Sequence, residues 1–180
     1  MNLKLRKYFE INYFFCPQCR ELLEFKMIEG RMRLVCPNDN FIFWNKPNCV
    51  VSGLWRVRDK VFLILRGNKN SSYYDYWALP GGILEVDEEP EAGLKRECFE
   101  ECSMIIKPKR IITAHLIIDR KRFSYSSIDI VYEIQVKKIN GWKLNKHEIK
   151  DASFFSINHL PKKIAFNHDK IITNFFQKRI

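Results

Sequence analysis

Residues 82–104 read GILEVDEEPEAGLKRECFEECSM, and the distances of five ionisable side chains from Gly82 decide how the rest of the chain is read. They are Glu88, Arg96, Glu97, Glu100 and Glu101. Pro90 suits the first turn of a helix, and the acidic residues around it suit the positive helix end. On that helix Glu97, Glu100 and Glu101 stand at i, i+3 and i+4, so one face carries all three carboxylates. Leu94, Cys98 and Cys102 form an apolar stripe beside them, able to grip a sheet. Like charges so close repel unless something positive sits between them. A hard divalent cation such as Mg²⁺ takes oxygen ligands and is commonly shared between carboxylates and substrate phosphates. Most glutamate-rich helices are only solvated faces, but this spacing reads as a metal platform for phosphate chemistry.

The pattern G-x5-E-x7-R-E-C-x-E-E-x-S-M resembles the Nudix box of the Nudix hydrolases, G-x5-E-x7-R-E-U-x-E-E-x-G-U, where U is a bulky apolar residue. Gly82, Glu88, Arg96, Glu97, Glu100 and Glu101 fill the fixed positions. Cys98 is a small member of the apolar class, and Ser103 stands where the family has glycine. A serine in a left-handed helix cap costs roughly 1 kcal/mol, a matter of stability and not of ligands. The resemblance implies an α/β/α sandwich with a mixed sheet. It also implies Mg²⁺ or Mn²⁺ held by Glu97, Glu100 and Glu101, with Glu88 a weaker contributor and a backbone carbonyl at Gly82 as a further ligand. Arg96 would orient a box carboxylate, the alternative being a plain surface ion pair. The candidate catalytic residues are therefore Arg96, Glu97, Glu100 and Glu101.

Two residues outside the box are candidates on the substrate side. Arg66, ending the run VFLILR, is placed to meet a phosphate or simply solvent. Glu148, in KHEIKDASFF, occupies a position where related chains often carry a loop glutamate; a solvated loop residue is the alternative. The general base stays open between the box and such a loop. Tyr73, Tyr74, Tyr76 and Trp77 offer a stacking surface, with Trp77 better suited to the core. His115, His147, His159 and His168 show no ligand spacing and receive no role.

Residues 14–40 form a distinct unit, with CPQC and CPND turns joined by a 16-residue spacer containing Gly30. This resembles a zinc ribbon, in which each knuckle offers two ligands on a tight turn. Cys16, Cys19, Cys36 and Asp39 would be the ligands, since zinc accepts carboxylate oxygen and three thiolates select a soft ion. A ribbon surviving on packing without metal is the alternative. Either way the unit is structural, because a closed four-ligand site leaves no open position. Residues 1–45 are thus read as an N-terminal extension plus ribbon-like unit, and residues 46–180 as the Nudix domain.

In the second part CVVSGLWRV and VFLILR read as two strands of a hairpin joined by RDK, and YWALPGG leads from a third strand into the box. MIIKPKRIITAHLII and FSYSSIDIVYEIQV read as further strands. AFNHDKIITNFFQ reads as an amphipathic closing helix with Ile171, Ile172, Phe175 and Phe176 facing the core.

The 180 residues suit one ordinary domain with a small appendage, and 46% apolar content suffices for a core. No apolar run is long enough to cross a bilayer. The start, MNLKLRKYFEINYFF, lacks a small-residue cleavage site and does not read as a signal peptide. Six scattered cysteines in a chain of this length argue for reduced thiols and a cytoplasmic location. The net charge is +10, and residues 105–180 carry 16 basic against 6 acidic side chains. Scattered lysines without interleaved aromatics read as surface coating, so nucleic acid is the weaker partner and a nucleotide-type small molecule the stronger.

Ribbon plus box resembles two groups, NADH pyrophosphatases and enzymes acting on ADP-ribose, FAD or similar dinucleotides. The first group carries SQPWPFP soon after the box, which is absent here. Cleavage of a nucleoside diphosphate linked to another moiety is therefore expected. NADH, nucleoside triphosphates or capped RNA are alternatives, and a non-catalytic nucleotide- or RNA-binding module is the rival of another class. Its weakness is that a pure binder has no need to hold repelling carboxylates together. A homodimer is a common family state, but no residue here shows it.

Overall fold

The computed structural model describes residues 14–44, 46–71, 73–118, 126–139 and 143–178. The first 13 residues, which are most of the start that does not read as a signal peptide, and residues 123–125 of the strand read as FSYSSIDIVYEIQV lie outside them. The chain divides into two compact units, Met1–Pro47 and Asn48–Ile180.

In the first unit β1 (Glu24–Ile28), β2 (Arg31–Val35) and β3 (Ile42–Phe43) form an antiparallel three-stranded sheet. Glu29 and Gly30 both have positive φ, 50° and 72°, as a two-residue turn matched to strand twist requires. Leu23, Leu34, Cys16 and Cys36 are its small core.

The second unit has the mixed α/β architecture expected, with strands in two sheets. β4 (Asn48–Leu54) lies between β8 (Gly81–Ile83) and β10 (Ser127–Ile139), and β9 (Met104–Ile117) forms the edge beyond β10. β4 and β10 are parallel and their other pairings antiparallel. The edge place of β9 suits Pro108, which has no N–H to give a ladder. The second sheet joins β11 (Ile149–Ser156), β6 (Lys60–Arg66) and β5 (Arg56–Val57), with β7 (Trp77–Ala78) on β6. The hairpin read at RDK exists between β5 and β6, but β4 belongs to the other sheet. The chain changes sheets at Trp55.

Helix α1 (Pro90–Cys102) starts where Pro90 allows and seats on β9, β8 and β4 through Leu94, Cys98 and Cys102, all fully buried. Gly53 lets β4 come close under it, since a Cβ there would meet Leu94 and Ile134. Ser103 ends the helix at φ 54° and ψ 30°, the left-handed cap expected. Helix α2 (His168–Phe176) buries Ile171, Ile172 and Phe175. Phe176 is only partly buried and takes the Arg56 guanidinium over its ring at 4.7 Å. Among the described residues no helix is long and apolar enough to cross a membrane.

Candidate active site

The box residues sit on α1 and on the turn that precedes it. Arg96 lies at their centre. Its Nε and Nη2 donate to both oxygens of Glu88 at 2.9 and 2.8 Å, in the fork geometry a guanidinium shares with a carboxylate. Nη1 donates to Glu97 at 2.8 Å and Glu100 at 3.1 Å, and Nη2 also reaches the Ile83 carbonyl at 3.1 Å. This pairing holds the Glu88 carboxyl below its ordinary range and pushes the Arg96 guanidinium up, with Glu88 the largest cause.

Glu101 is placed differently. Its side chain turns under the Gly81–Gly82 turn, where Oε2 accepts the Gly81 N–H at 2.9 Å. Only 4% of the residue is exposed, and burial pushes its carboxyl well above the usual carboxylate range, against the opposing effect of that N–H. Burial also raises Glu97, countered by Arg96. The glycines make this approach feasible: Gly81 has φ 146°, and a Cβ on Gly82 would collide with the Glu97 carboxylate.

Glu97, Glu101, Glu148, Arg66, Gly81 and Gly82 line one cleft of about 200 Å³ with Asn68, Ser71 and Ile149. Glu148 is delivered by the loop before β11, where its carbonyl accepts the Gly67 N–H at 2.6 Å. Burial lowers the Arg66 guanidinium, and Glu101 and Glu148 oppose that. Thus the structure brings Arg66 and Glu148, far apart in sequence, to the box. Glu88 and Glu100 are not among the cleft's lining residues; both are held on Arg96, and the Glu100 side chain is half exposed. The donor set suits a hard cation: three carboxylates line the cleft, and burial disfavours the ionised forms of Glu97 and Glu101 until positive charge is supplied.

In the first unit one ligand atom each from Cys16, Cys19, Cys36 and Asp39 lies within 4.8 Å of the others. The two turns supply matching N–H···S contacts, Gln18 to Cys16 and Asn38 to Cys36, both 3.4 Å. Asp39 spends Oδ1 on the Phe41 N–H at 2.7 Å and turns Oδ2 to Cys16 at 3.2 Å. Although the Glu21 backbone N–H favours the thiolate, hydrogen bonds with Asp39 and Cys36 push the Cys19 thiol up to about 12.

Comparison with known proteins gives the site its family. Residues 46–175 match the model of the NUDIX domain. The chain belongs to the Nudix family. It is 35% identical over 131 residues to an ADP-ribose pyrophosphatase of Methanocaldococcus jannaschii, spanning 73% of this chain and 74% of that protein. It is 36% identical over 76 residues to diphosphoinositol polyphosphate phosphohydrolase 2 of Homo sapiens, covering 42% of this chain and 40% of that one. A Nudix hydrolase structure from Nitrosomonas europaea matches with a TM-score of 0.76 at 20% identity, over 93% of this chain and 92% of that one. Together these make the protein a Nudix pyrophosphohydrolase with that fold.

One pair at this Nudix site escaped the sequence reading. His168 Nε2 lies 3.0 Å from Asp129 Oδ2, both residues essentially buried, and His168 Nδ1 accepts the Leu79 N–H at 3.0 Å. The signal for Asp129 was present: a charge at an inward position of the strand SIDIVY, where the period places core residues. For His168 no local spacing points to a partner 39 residues away. The stacking surface expected from the tyrosines is not what lines the adjoining cavity; Phe166 does. Tyr73 and Tyr76 pack edge-on against each other, and Trp77 stands edge-on to Phe155.

Proposed function

We propose that this Nudix hydrolase cleaves, with Mg²⁺ or Mn²⁺, the pyrophosphate link of a nucleoside diphosphate joined to a further moiety, of which ADP-ribose is the leading example. The observation that carries it is the cleft in which Glu97, Glu101, Glu148 and Arg66 converge on the Gly81–Gly82 turn. The likeness to an ADP-ribose pyrophosphatase supports the substrate class.

Glu97 and Glu101 are the cleft residues that would hold the ions, with the Gly82 carbonyl beside them, and Glu100 would join them on leaving Arg96. A bound divalent ion would lower the pKa of water and neutralise charge on the leaving phosphate. The chain's own residues do the rest. Arg96 fixes the rotamers of Glu97 and Glu100 and holds Glu88 as an outer support. Arg66 meets a phosphate oxygen, its partial burial making that contact stronger than one in water. Glu148 is an exposed carboxylate of the cleft, suited to take the proton of the attacking water and release it to solvent. With an adenosine substrate the products are AMP and the phosphorylated second moiety. In the first unit Cys16, Cys19, Cys36 and Asp39 would hold a structural zinc ion.

The test is turnover of ADP-ribose, FAD, NADH and nucleoside triphosphates with Mg²⁺ or Mn²⁺ in oxygen-18 water, comparing wild type with Glu97→Gln and Glu101→Gln. Each variant is expected to lose on the order of 10²-fold or more in kcat, as removal of charge stabilisation at a reacting phosphate does. Equal turnover in the variants sinks the assignment of these carboxylates.

A further inference from the structure

A second cavity, of about 280 Å³, adjoins the acidic cleft at the Gly81–Gly82 turn. Arg66, Gly81 and Gly82 line both it and the acidic cleft. A ligand with its pyrophosphate in the cleft therefore carries whatever is attached to that pyrophosphate toward this cavity. Its walls are mostly apolar, with Val50, Leu79, Ile83, Ile117 and Phe166 contributing, which suits the faces of a flat ring.

The polar end of the cavity is unusual. Asp129 and His168 line it, and Asp129 Oδ1 is buried with no hydrogen-bond partner among the described residues. A backbone N–H can only donate, so the Leu79 contact makes His168 Nδ1 an acceptor and leaves the ring's hydrogen on Nε2. That hydrogen is committed to Asp129 Oδ2. His168 thus fixes the carboxylate's orientation and has no donor to give Oδ1. What remains is a buried acceptor at the end of an apolar slot. Leaving such an atom unsatisfied is costly, whereas an N–H from a ligand would satisfy it.

We infer that this cavity holds the base of the nucleoside, and that Asp129, positioned by His168, selects a base presenting an N–H donor such as the amino group of adenine. The inference rests on the pyrophosphohydrolase reading above. Asp129→Asn provides an inversion of nearly the same shape. In that variant the amide oxygen would remain the acceptor of His168 Nε2–H, which turns the amide NH₂ into the cavity as a donor. The substituted pocket should then favour a keto edge.

The experiment measures kcat/KM of wild type and Asp129→Asn on ADP-ribose, on its hypoxanthine counterpart and on the counterpart with unsubstituted purine. Wild type is expected to prefer ADP-ribose over the unsubstituted purine by at least about tenfold. In Asp129→Asn the ratio of hypoxanthine to adenine substrate should rise by at least about tenfold. A ratio that does not move overturns the inference even when both proteins turn over. If no compound is cleaved, the catalytic reading fails by itself, and the pocket is judged by calorimetry with AMP, IMP and purine riboside monophosphate on both proteins. Base-dependent affinities that invert with the substitution support it; affinities that ignore the base refute it. Thermal unfolding of Asp129→Asn checks the fold, and His168→Gln, which removes the positioning donor, should weaken base discrimination more than it changes turnover of a base-free pyrophosphate substrate.

Discussion

At the cysteine turns four ligand atoms lie within 4.8 Å of one another, whereas no other set of three or more His, Cys, Asp or Glu among the described residues draws its ligand atoms so close. The glutamates of α1 are instead divided, with Glu97 and Glu100 on the Arg96 guanidinium and Glu101 under the Gly81 N–H. The chemistry of the two ligand types explains the contrast. A thiol is neutral until metal displaces its proton, and the Cys19 thiol is pushed up to about 12, so these sulfurs can collapse together at little electrostatic cost. Carboxylates carry charge at neutral pH in water, so where they meet they need a cation, as Glu97 and Glu100 find in Arg96, or a proton, which burial favours at Glu101. The soft cluster is consequently drawn together, an arrangement that suits the structural zinc site proposed above. The hard cluster keeps part of its oxygens on a cleft that a phosphate can share.

The largest expected effect breaks the contrast at its closed end. Structural zinc contributes about 10–16 kcal/mol of apparent binding free energy in small zinc-dependent peptides, and here that binding would be folding energy. Elemental analysis should find about one zinc per chain. A strong chelator, or Cys36→Ser, should erase amide protection across residues 14–44 while the strands and helices of the second unit keep theirs. Asp39→Cys should tighten zinc retention, because it completes a four-thiolate set. Unchanged exchange after chelation would mean that Leu23, Leu34 and their neighbours hold the unit without metal.

A smaller effect sharpens the open end through pH. The folded protein raises the Glu101 carboxyl above its ordinary value of 4.5, mainly by burial. A raised folded pKa contributes stability that is fully present below the unfolded pKa and is lost as pH rises through the folded one. Metal-free wild type should therefore lose ground to Glu101→Gln as pH rises from about 4.5, the gap in Tm widening toward neutrality. Added Mg²⁺ should narrow that gap by stabilising wild type more than the variant, since metal competes with the proton for the same oxygens. Glu88 contributes with the opposite sign: Arg96 holds it low, so its contribution is present above its unfolded pKa and fades in acid. A gap independent of both pH and Mg²⁺ would show that Glu101 neither carries a burial penalty nor meets the ion.

What the sequence disclosed and what it withheld follow the range of the interactions. The helix from Pro90 and the stripe of Leu94, Cys98 and Cys102 arise within a few turns, so spacing alone exposed them, and the pairing of Arg96 with box carboxylates, equally local, was implied by the resemblance to the box. The separate fates of Glu97, Glu100 and Glu101 were hidden, because a helical face read from spacing has no depth. Only the packing of α1 shows that Glu101 is buried while Glu100 reaches solvent. Sheet membership was also hidden: β4 and β6 are near in sequence yet lie in different sheets, and the parallel partner of β4 is β10. Asp129 and His168 meet only because that topology puts the start of α2 beside β10.

The smallest effect tests whether the end of α1 is tied to the divided carboxylates. Ser103 holds φ 54°, a conformation costing a residue with a Cβ about 1–2 kcal/mol. Its hydroxyl recovers little, donating to the Lys143 carbonyl at 3.2 Å on an exposed surface. Ser103→Gly removes the Cβ penalty and returns part of the gain as unfolded-state entropy, for a net of about 1 kcal/mol. A domain of this size should then melt roughly 2–4 °C higher. Turnover should stay within about twofold of wild type, because the cap N–H bonds to Cys98 and Phe99 carbonyls and touches no cleft residue. A larger change in kcat would mean that the strained cap, two residues beyond Glu101, helps to set how deeply that carboxylate is buried, and the closed and open ends of the comparison would then differ in backbone strain as well as in ligand chemistry.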